Sequence, residues 1–288
     1  MKGLTMISIA LGNFDGVHLA HRAVLGNAAA YDNSICLRFR KHPMEVLTGK
    51  APVRLLSHEQ AEKKILACGI KRCEYLDFEE VKDFSPERFF DEILRERYGA
   101  DVISCGYNYT FGKDRVGDVA LLQRLCRESG VALSVASEVD YAGESISSSR
   151  IRHCIERGDI RQANAMLGYR FFYEGEIVQG KQLGRELGFP TINQYLDETI
   201  VKPRAGVYAS FVTLRSRRYK GLTNIGNNPT IGSDTYRSET YVFGFDETVY
   251  GENAQIELAE FVRDEKKFES VDALRAQVLD DIERVKNV

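Results

Sequence analysis

The sequence predicts a doubly wound, Rossmann-like α/β domain over residues 1–167, followed by a small antiparallel β-barrel with a C-terminal helix over residues 168–288. Two observations carry this prediction. Short apolar runs alternate with helix-period segments as far as Leu167, and beyond it strand-like runs follow one another with only turn residues between them. At 288 residues the chain also lies near the size at which a single core stops growing, which favours two domains.

In chain order, MISIALGNF reads as a strand, LAHRAVLGNAAAYD as a helix and SICLRF as a strand. HEQAEKKILACG is a helix, CEYLDF a strand, PERFFDEILRERYG a helix, DVISCG a strand, DVALLQRLCRESG a helix and ALSVAS a strand. This repetition implies parallel strands joined by right-handed crossovers, with helices on both faces. After MLGYR the segments FFYEGEIV, GVYASFVTL, RRYKGLTNI, ETYVFGF and AQIELAEFV are strand-like and punctuated by Gly, Pro, Asn and Asp. The last segment starts at a Ser270 N-cap and places Val271, Leu274, Val278, Ile282 and Val285 on one stripe, which predicts a helix packed on the barrel.

With 43% hydrophobic and 28% charged residues the composition is that of a globular chain, not of a disordered or membrane-spanning one. A formal net charge of -3 gives no general attraction for nucleic acid or anionic lipid, so neither partner is expected, and any polyanion must be held by local cations. The N-terminal apolar run is interrupted by Asp15 too soon for a signal peptide, and the six cysteines form neither a CxxC pair nor a zinc set, so a reducing, cytoplasmic setting is expected. The composition sets no oligomeric state.

The segment GNFDGVHLAH follows the first strand, where open α/β sheets bind ligands against helix N-termini. If the helix begins near Val17, His18 and His21 share one face of its first turn. Three readings stand: a metal pair, histidines capping local backbone, and a pair donating hydrogen bonds to phosphate. A metal pair of the zinc-protease kind needs i, i+4 spacing with a glutamate, which this segment lacks. ISSSRIR, residues 146–152, follows the last strand of this half and opens another helix. Ser147 and Ser149 meet Arg150 and Arg152 where a capping box would have Glu or Gln. Cations in a first turn oppose the helix dipole by roughly 0.3–1 kcal/mol, and a bound anion reverses that sign. The second cluster therefore favours the phosphate reading.

Taken with RFRKHPMEVL, LLSHEQ and GYNYTFGKDRVGD, these motifs resemble the adenylyltransferase module of the bacterial bifunctional riboflavin kinase/FMN adenylyltransferase family, also called FAD synthetase. GKQLGRELGFPTIN, GVYAS, GLTNIGNNPT, ETYVFGF, VYGE and RDEKKFESVDAL are similar to that family's kinase module, so the match runs over nearly the whole chain in family order. The resemblance implies a Rossmann-like nucleotidyltransferase domain in which an FMN phosphate oxygen attacks the α-phosphorus of ATP and pyrophosphate leaves. That nucleophile is already anionic, so the site needs donors and cations more than a base. On this resemblance His18, His21 and Arg150 stabilise the phosphates; Gly12, Phe14, Asp15, Gly16, Asn108, Ser147, Ser148 and Arg152 complete the nucleotide site.

In the second half, Gly175-x4-Gly180-Lys181 superficially matches a P-loop, but Gln182 cannot supply the Mg²⁺-binding hydroxyl and no helix follows a strand-like EIVQ. What remains is a glycine-rich turn with Gly180, Gly184 and Gly188, which could equally turn between barrel strands. The resemblance implies that Gly180, Gly184 and Arg185 contact ATP, that Thr191 and Asn193 hold its Mg²⁺, and that Glu239 takes the proton from the riboflavin hydroxyl. Riboflavin, FMN, FAD and ATP are thus the expected small-molecule partners. The chain departs from the family pattern at Ala20, Ser149 and Ile192, which keep the reactive groups, and at Asn228, which stands where an arginine often precedes Pro-Thr. Two alternatives remain at this level: a non-catalytic flavin-binding regulator, and a kinase with an inactive N-terminal module.

Overall fold

The computed structural model describes residues 6–180, 184, 188–227 and 236–286. The chain forms two compact units, Met1–Ser148 and Ser149–Val288.

The first unit is a five-stranded parallel sheet in the order β3-β2-β1-β4-β5, formed by β1 (Ile7–Leu11), β2 (Asn33–Phe39), β3 (Arg72–Leu76), β4 (Val102–Gly106) and β5 (Ala132–Ala136). The helices of this unit are α1 (Leu19–Ala29), α2 (Pro43–Thr48), α3 (His58–Ala67), α4 (Phe78–Val81), α5 (Pro86–Arg88), which runs on as a π-helix over Phe89–Arg97, and α6 (Val119–Ser129). Strand order reverses between β1 and β4, and the loops at their carboxyl ends flank the crevice where such sheets bind ligands. The strands are rich in Ile, Leu, Val and Cys because helices cover both faces; Ile9, Leu37, Phe90, Leu94, Ile103 and Leu122 share one core. A two-stranded hairpin, β6 (Asp140–Tyr141) and β7 (Glu144–Ser145), precedes the end of the unit.

The second unit opens with α7, which spans Ser148–Arg157, and α8 (Ile160–Leu167). The sequence reading has one helix here, RIRHCIERG, and carries its first half to residue 167. Asn164 of α8 ties the start of the barrel together: its Nδ2 donates to Leu258 O at 2.9 Å and its Oδ1 accepts from Phe171 N at 2.7 Å.

Six antiparallel strands then form a nearly closed barrel in the order β8-β13-β10-β11-β12-β9: β8 (Phe172–Glu176), β9 (Thr191–Tyr195), β10 (Gly206–Leu214), β11 (Arg217–Asn227), β12 (Tyr236–Val242) and β13 (Asn253–Arg263). The sequence predicts five of these strands and leaves out β9. Its TINQY sequence hides the usual alternation because polar groups point to both faces. Gln194 turns inward, where its Nε2 donates to Gly175 O at 2.6 Å and Ala254 O at 2.8 Å, while Asn193 shares the opposite face with Thr191. The Gln194 bonds and a backbone bridge from Val178 N to Asn193 O at 2.8 Å join β9 back to β8 and its extension. The barrel interior is unusually polar: Thr223 Oγ1 lies 2.7 Å from Ser210 Oγ and 2.9 Å from Thr240 Oγ1.

The C-terminal helix α9 (Val271–Val285) is capped by Ser270, whose side chain accepts from Ala273 N, and packs Ile282 and Val285 against Val207 and Leu222. A buried ion pair fixes it to β13. Asp281, 0% exposed, accepts from Arg263 Nε at 2.9 Å and Nη2 at 2.7 Å, and Gln277 Nε2 reaches the same carboxylate. Removing one partner of such a pair strands a buried charge and costs about 3–5 kcal/mol. Asp281→Ala should therefore lower the stability of the barrel transition by about 3 kcal/mol in denaturant unfolding, and adding Arg263→Met should recover much of the loss.

Candidate active sites

In the first unit the site grows from the strained turn after β1. Phe14, Gly16 and Val17 all have positive φ (52°, 82° and 41°), and Val17 N donates back to Phe14 O at 3.2 Å. A positive φ is a genuine outlier for a β-branched residue, so the helix cannot start at Val17 as the sequence reading supposes. It starts at Leu19, and His18 becomes the N-cap: its Nδ1 accepts from His21 N at 3.3 Å. The capping and phosphate-donor readings of His18 are therefore compatible. A ring that accepts at Nδ1 carries its proton on Nε2, where it can donate.

The two imidazoles stack with centroids 3.5 Å apart and planes 16° from parallel, and Phe14 packs edge-on against His21 at 5.3 Å. His18 is 3% exposed, and burial lowers its pKa to about 4. Burial also holds His21 well below the ordinary histidine value, helped by the neighbouring His18 and Arg38. Both rings are neutral near pH 7. His21 Nδ1 is buried without a hydrogen-bond partner among the described residues.

The surrounding residues hold this arrangement. Asp15 Oδ1 accepts from Leu55 N at 2.9 Å, so its carboxylate braces the turn against the 55–57 segment. A Cβ at Gly16 would meet Leu55 Cδ1 at 2.6 Å, and one at Gly12 would meet the Phe14 ring at 3.0 Å. Phe14 is itself buried. Ser148 Oγ donates to Asp15 O at 2.9 Å, which ties the end of the first unit to the β1 turn. Asn108 lies exposed in the turn after β4, on the other side of the strand-order reversal, and Ser147 is exposed just before α7. Arg150 and Arg152 follow Ser148 along α7, with Arg152 Nη2 donating to Ser149 Oγ at 3.0 Å. Arg38 belongs to this site, yet sequence reasoning passed over it. It is 7% exposed at the carboxyl end of β2, and its Nε donates to Asn13 O of the same turn at 3.3 Å.

In the second unit the register of the barrel assembles the site. Glu239 of β12 lies directly across from Asn193 of β9 and from Asn224 of β11, and Thr191 lies across from Tyr241. Glu239 and Arg237, two apart on the same face, form an ion pair. Asn193 is buried and its Oδ1 has no partner among the described residues. A Cβ on Gly180 would come within 2.5–2.7 Å of the Asn193 amide, and one on Gly184 within 2.5 Å of Phe189 O, so both glycines answer to close backbone approach. A pocket is lined by Gly180, Thr191 and Asn193 together with residues 245–250, including Asp246 and Thr248, which the sequence did not single out. Arg185, like Lys181 and Asn228, lies outside the described residues. Among the described residues no group of three or more His, Cys, Asp or Glu is placed to hold a metal.

Family models described as FAD synthetase and riboflavin kinase match residues 2–150 and 167–288, respectively. The chain belongs to the bifunctional riboflavin kinase/FMN adenylyltransferase family. A Listeria monocytogenes member is 32% identical over 279 residues, covering 94% of this chain and 88% of the relative. One from Escherichia coli is 30% identical over 281 residues, covering 95% and 90%. A solved structure described as a macrolide-efflux protein from Streptococcus pneumoniae superposes with a TM-score of 0.90 at 28% identity, covering 100% of this chain and 96% of that one. Among the described residues of this family member, no helix is long and apolar enough to cross a membrane.

Depressed histidine pKa values link this site to stability. For His18 the folded-state value lies below the unfolded value of about 6.5. Its contribution is therefore complete above pH ~6.5 and is lost as pH falls toward about 4. NMR titration of the imidazole resonances should show no protonation of His18 between pH 7 and 5, and a midpoint near the ordinary value would contradict the buried cap.

Proposed function

We propose that this chain phosphorylates riboflavin to FMN in its C-terminal module, residues 168–288, and adenylylates FMN to FAD in its N-terminal module, residues 1–167, using ATP in both steps. The carrying observation is that each module has the chemistry its own step requires. Family membership over both modules supports this reading over a non-catalytic flavin binder or a kinase with an inactive partner module.

For adenylyl transfer the attacking FMN phosphate is already anionic near neutral pH, so a strong base is unnecessary. Neutral rings suit this task. His18 Nε2–H, with its tautomer set by the cap, is available to donate to an anionic oxygen, and His21 stacks beside it. Gly12, Phe14, Asp15 and Gly16 shape and brace the turn that would receive the nucleotide, with Ser147, Ser148 and Asn108 as further polar contacts. Arg150 and Arg152 supply cations for two substrates that repel each other.

For riboflavin phosphorylation the nucleophile is an alcohol and must lose a proton, which calls for a carboxylate. Glu239 fills that role beside Asn193. The residues here fit Mg²⁺: Asn193 Oδ1 is a buried carbonyl oxygen without a partner, Thr191 shares its face, and Gly180 keeps the approach clear. Mg²⁺ held by Thr191 and Asn193 would neutralise charge on the ATP phosphates. Gly184 and Arg185 are assigned to the same nucleotide. Six unbridged cysteines accord with cytoplasmic placement of this flavin-making enzyme.

Chromatography of flavin products tests the assignment. Glu239→Gln should abolish FMN formation from riboflavin while keeping FAD formation from supplied FMN, and His21→Ala should do the reverse, each by about 100-fold or more. No flavin nucleotide from the wild-type protein with riboflavin, ATP and Mg²⁺ would end the proposal. A separate variant, Gly180→Ala, would displace the Asn193 amide and should raise the KM for ATP in the kinase step alone.

A further inference from the structure

Arg38 is a buried cation without an anion. The residue is 7% exposed, its Nε is satisfied by Asn13 O at 3.3 Å, and its Nη1 is buried with no hydrogen-bond partner among the described residues. Among the described residues it forms no ion pair. Tyr75, its cross-strand neighbour in register, offers only a ring face, with the guanidinium carbon 5.9 Å from the centroid. The Tyr75 hydroxyl is already committed to Glu62 Oε2 at 2.6 Å. The electrostatic neighbours of Arg38 include His21 and His58, and both are held below the ordinary histidine value in part by its charge. A guanidinium shut away from water and left beside neutral rings is costly unless a counter-charge arrives.

Its place in the fold says where that counter-charge comes from. Arg38 stands at the carboxyl end of β2, next to β1, and holds the carbonyl of the same turn that carries His18 and His21. This is the edge at which doubly wound sheets receive their ligands. Arg38 opens the RFRKHPMEVL segment, but a lone Arg at a strand end reads as an ordinary solvated residue, so the sequence assigned it no role.

We propose that Arg38 is a phosphate-binding residue of the adenylyl-transfer site, its orphaned Nη1 donating to a phosphate oxygen of an incoming substrate. The ligand chemistry is a phosphate oxyanion, and two sources could supply it: the triphosphate of ATP or the monophosphate of FMN. The inference rests on the reading of the N-terminal unit as an adenylyltransferase. A planar fork bound to an oxyanion is worth more than a point charge, so lysine replaces it poorly.

The test uses full-length protein and Arg38→Met, which keeps the volume beside Tyr75 and removes the charge. FAD formation is followed while ATP and FMN are varied separately, with riboflavin phosphorylation as the folding control. The expected result is a KM raised roughly 10-fold or more for one of the two substrates. A rise for ATP assigns the residue to the triphosphate, and a rise for FMN assigns it to the monophosphate. Inorganic pyrophosphate, added alone, should raise the melting temperature of wild type more than that of the variant if ATP is the source. Because the substitution removes an uncompensated charge, the ligand-free melting temperature should stay level or rise. A lower melting temperature with both KM values unchanged would overturn the proposal by making Arg38 merely structural. If wild type itself forms no FAD from FMN and ATP, the assignment of the unit fails, a result separate from the behaviour of Arg38.

Discussion

The bond from the His21 amide to His18 Nδ1 is the interaction on which the first site depends. It closes the first turn of α1, satisfies one of the helix's orphan N–H groups and leaves the remaining ring proton on Nε2. His18 is also buried, and burial keeps the ring neutral. Two rings stacked at 3.5 Å could not both carry charge without strong repulsion. One hydrogen bond thus links a strained turn, a helix start and the protonation state of a donor pair.

The barrel reaches its site by a different route. There the side chains are set by strand register, and the central fact is that Glu239 lies opposite Asn193. A slip of one residue would send both to the barrel interior, where Ser210, Thr223 and Thr240 already form a hydroxyl chain. Those hydroxyls and the inward Gln194 make the interior polar, so register is pinned by hydrogen bonds as well as by apolar packing. Gly180 then fits against the Asn193 amide because it has no side chain to intrude.

The two units share one physical device: a polar atom held out of water with its partner missing. His21 Nδ1 and Arg38 Nη1 show it in the first unit, and Asn193 Oδ1 shows it in the second. Each buried polar group without a partner costs free energy; these three lie at the two sites, while Ser8 Oγ, Ser104 Oγ, the Tyr173 hydroxyl, Gln194 Oε1 and Ser238 Oγ are unpartnered elsewhere among the described residues. Neutral rings and a guanidinium suit a nucleophile that is already charged. A carboxylate suits an alcohol that is not.

Much of this was legible in the residues. Alternating apolar runs gave the parallel strands, turn punctuation gave most of the barrel, and the periodic stripe after Ser270 gave α9, since these patterns express which face is buried. β9 escaped because TINQY carries polar side chains to both faces, and the π-helical turns of Phe89–Arg97 escaped because apolar spacing does not separate them from an α-helix. The sequence by itself determined the kinds of chemical group available and their order along the chain. Tertiary structure alone decided which atoms would meet and which would stay unpartnered. Those facts rest on contacts distant in sequence, such as Ser148 to Asp15 across 133 residues, or Arg38 to the carbonyl of Asn13, and no local pattern encodes them.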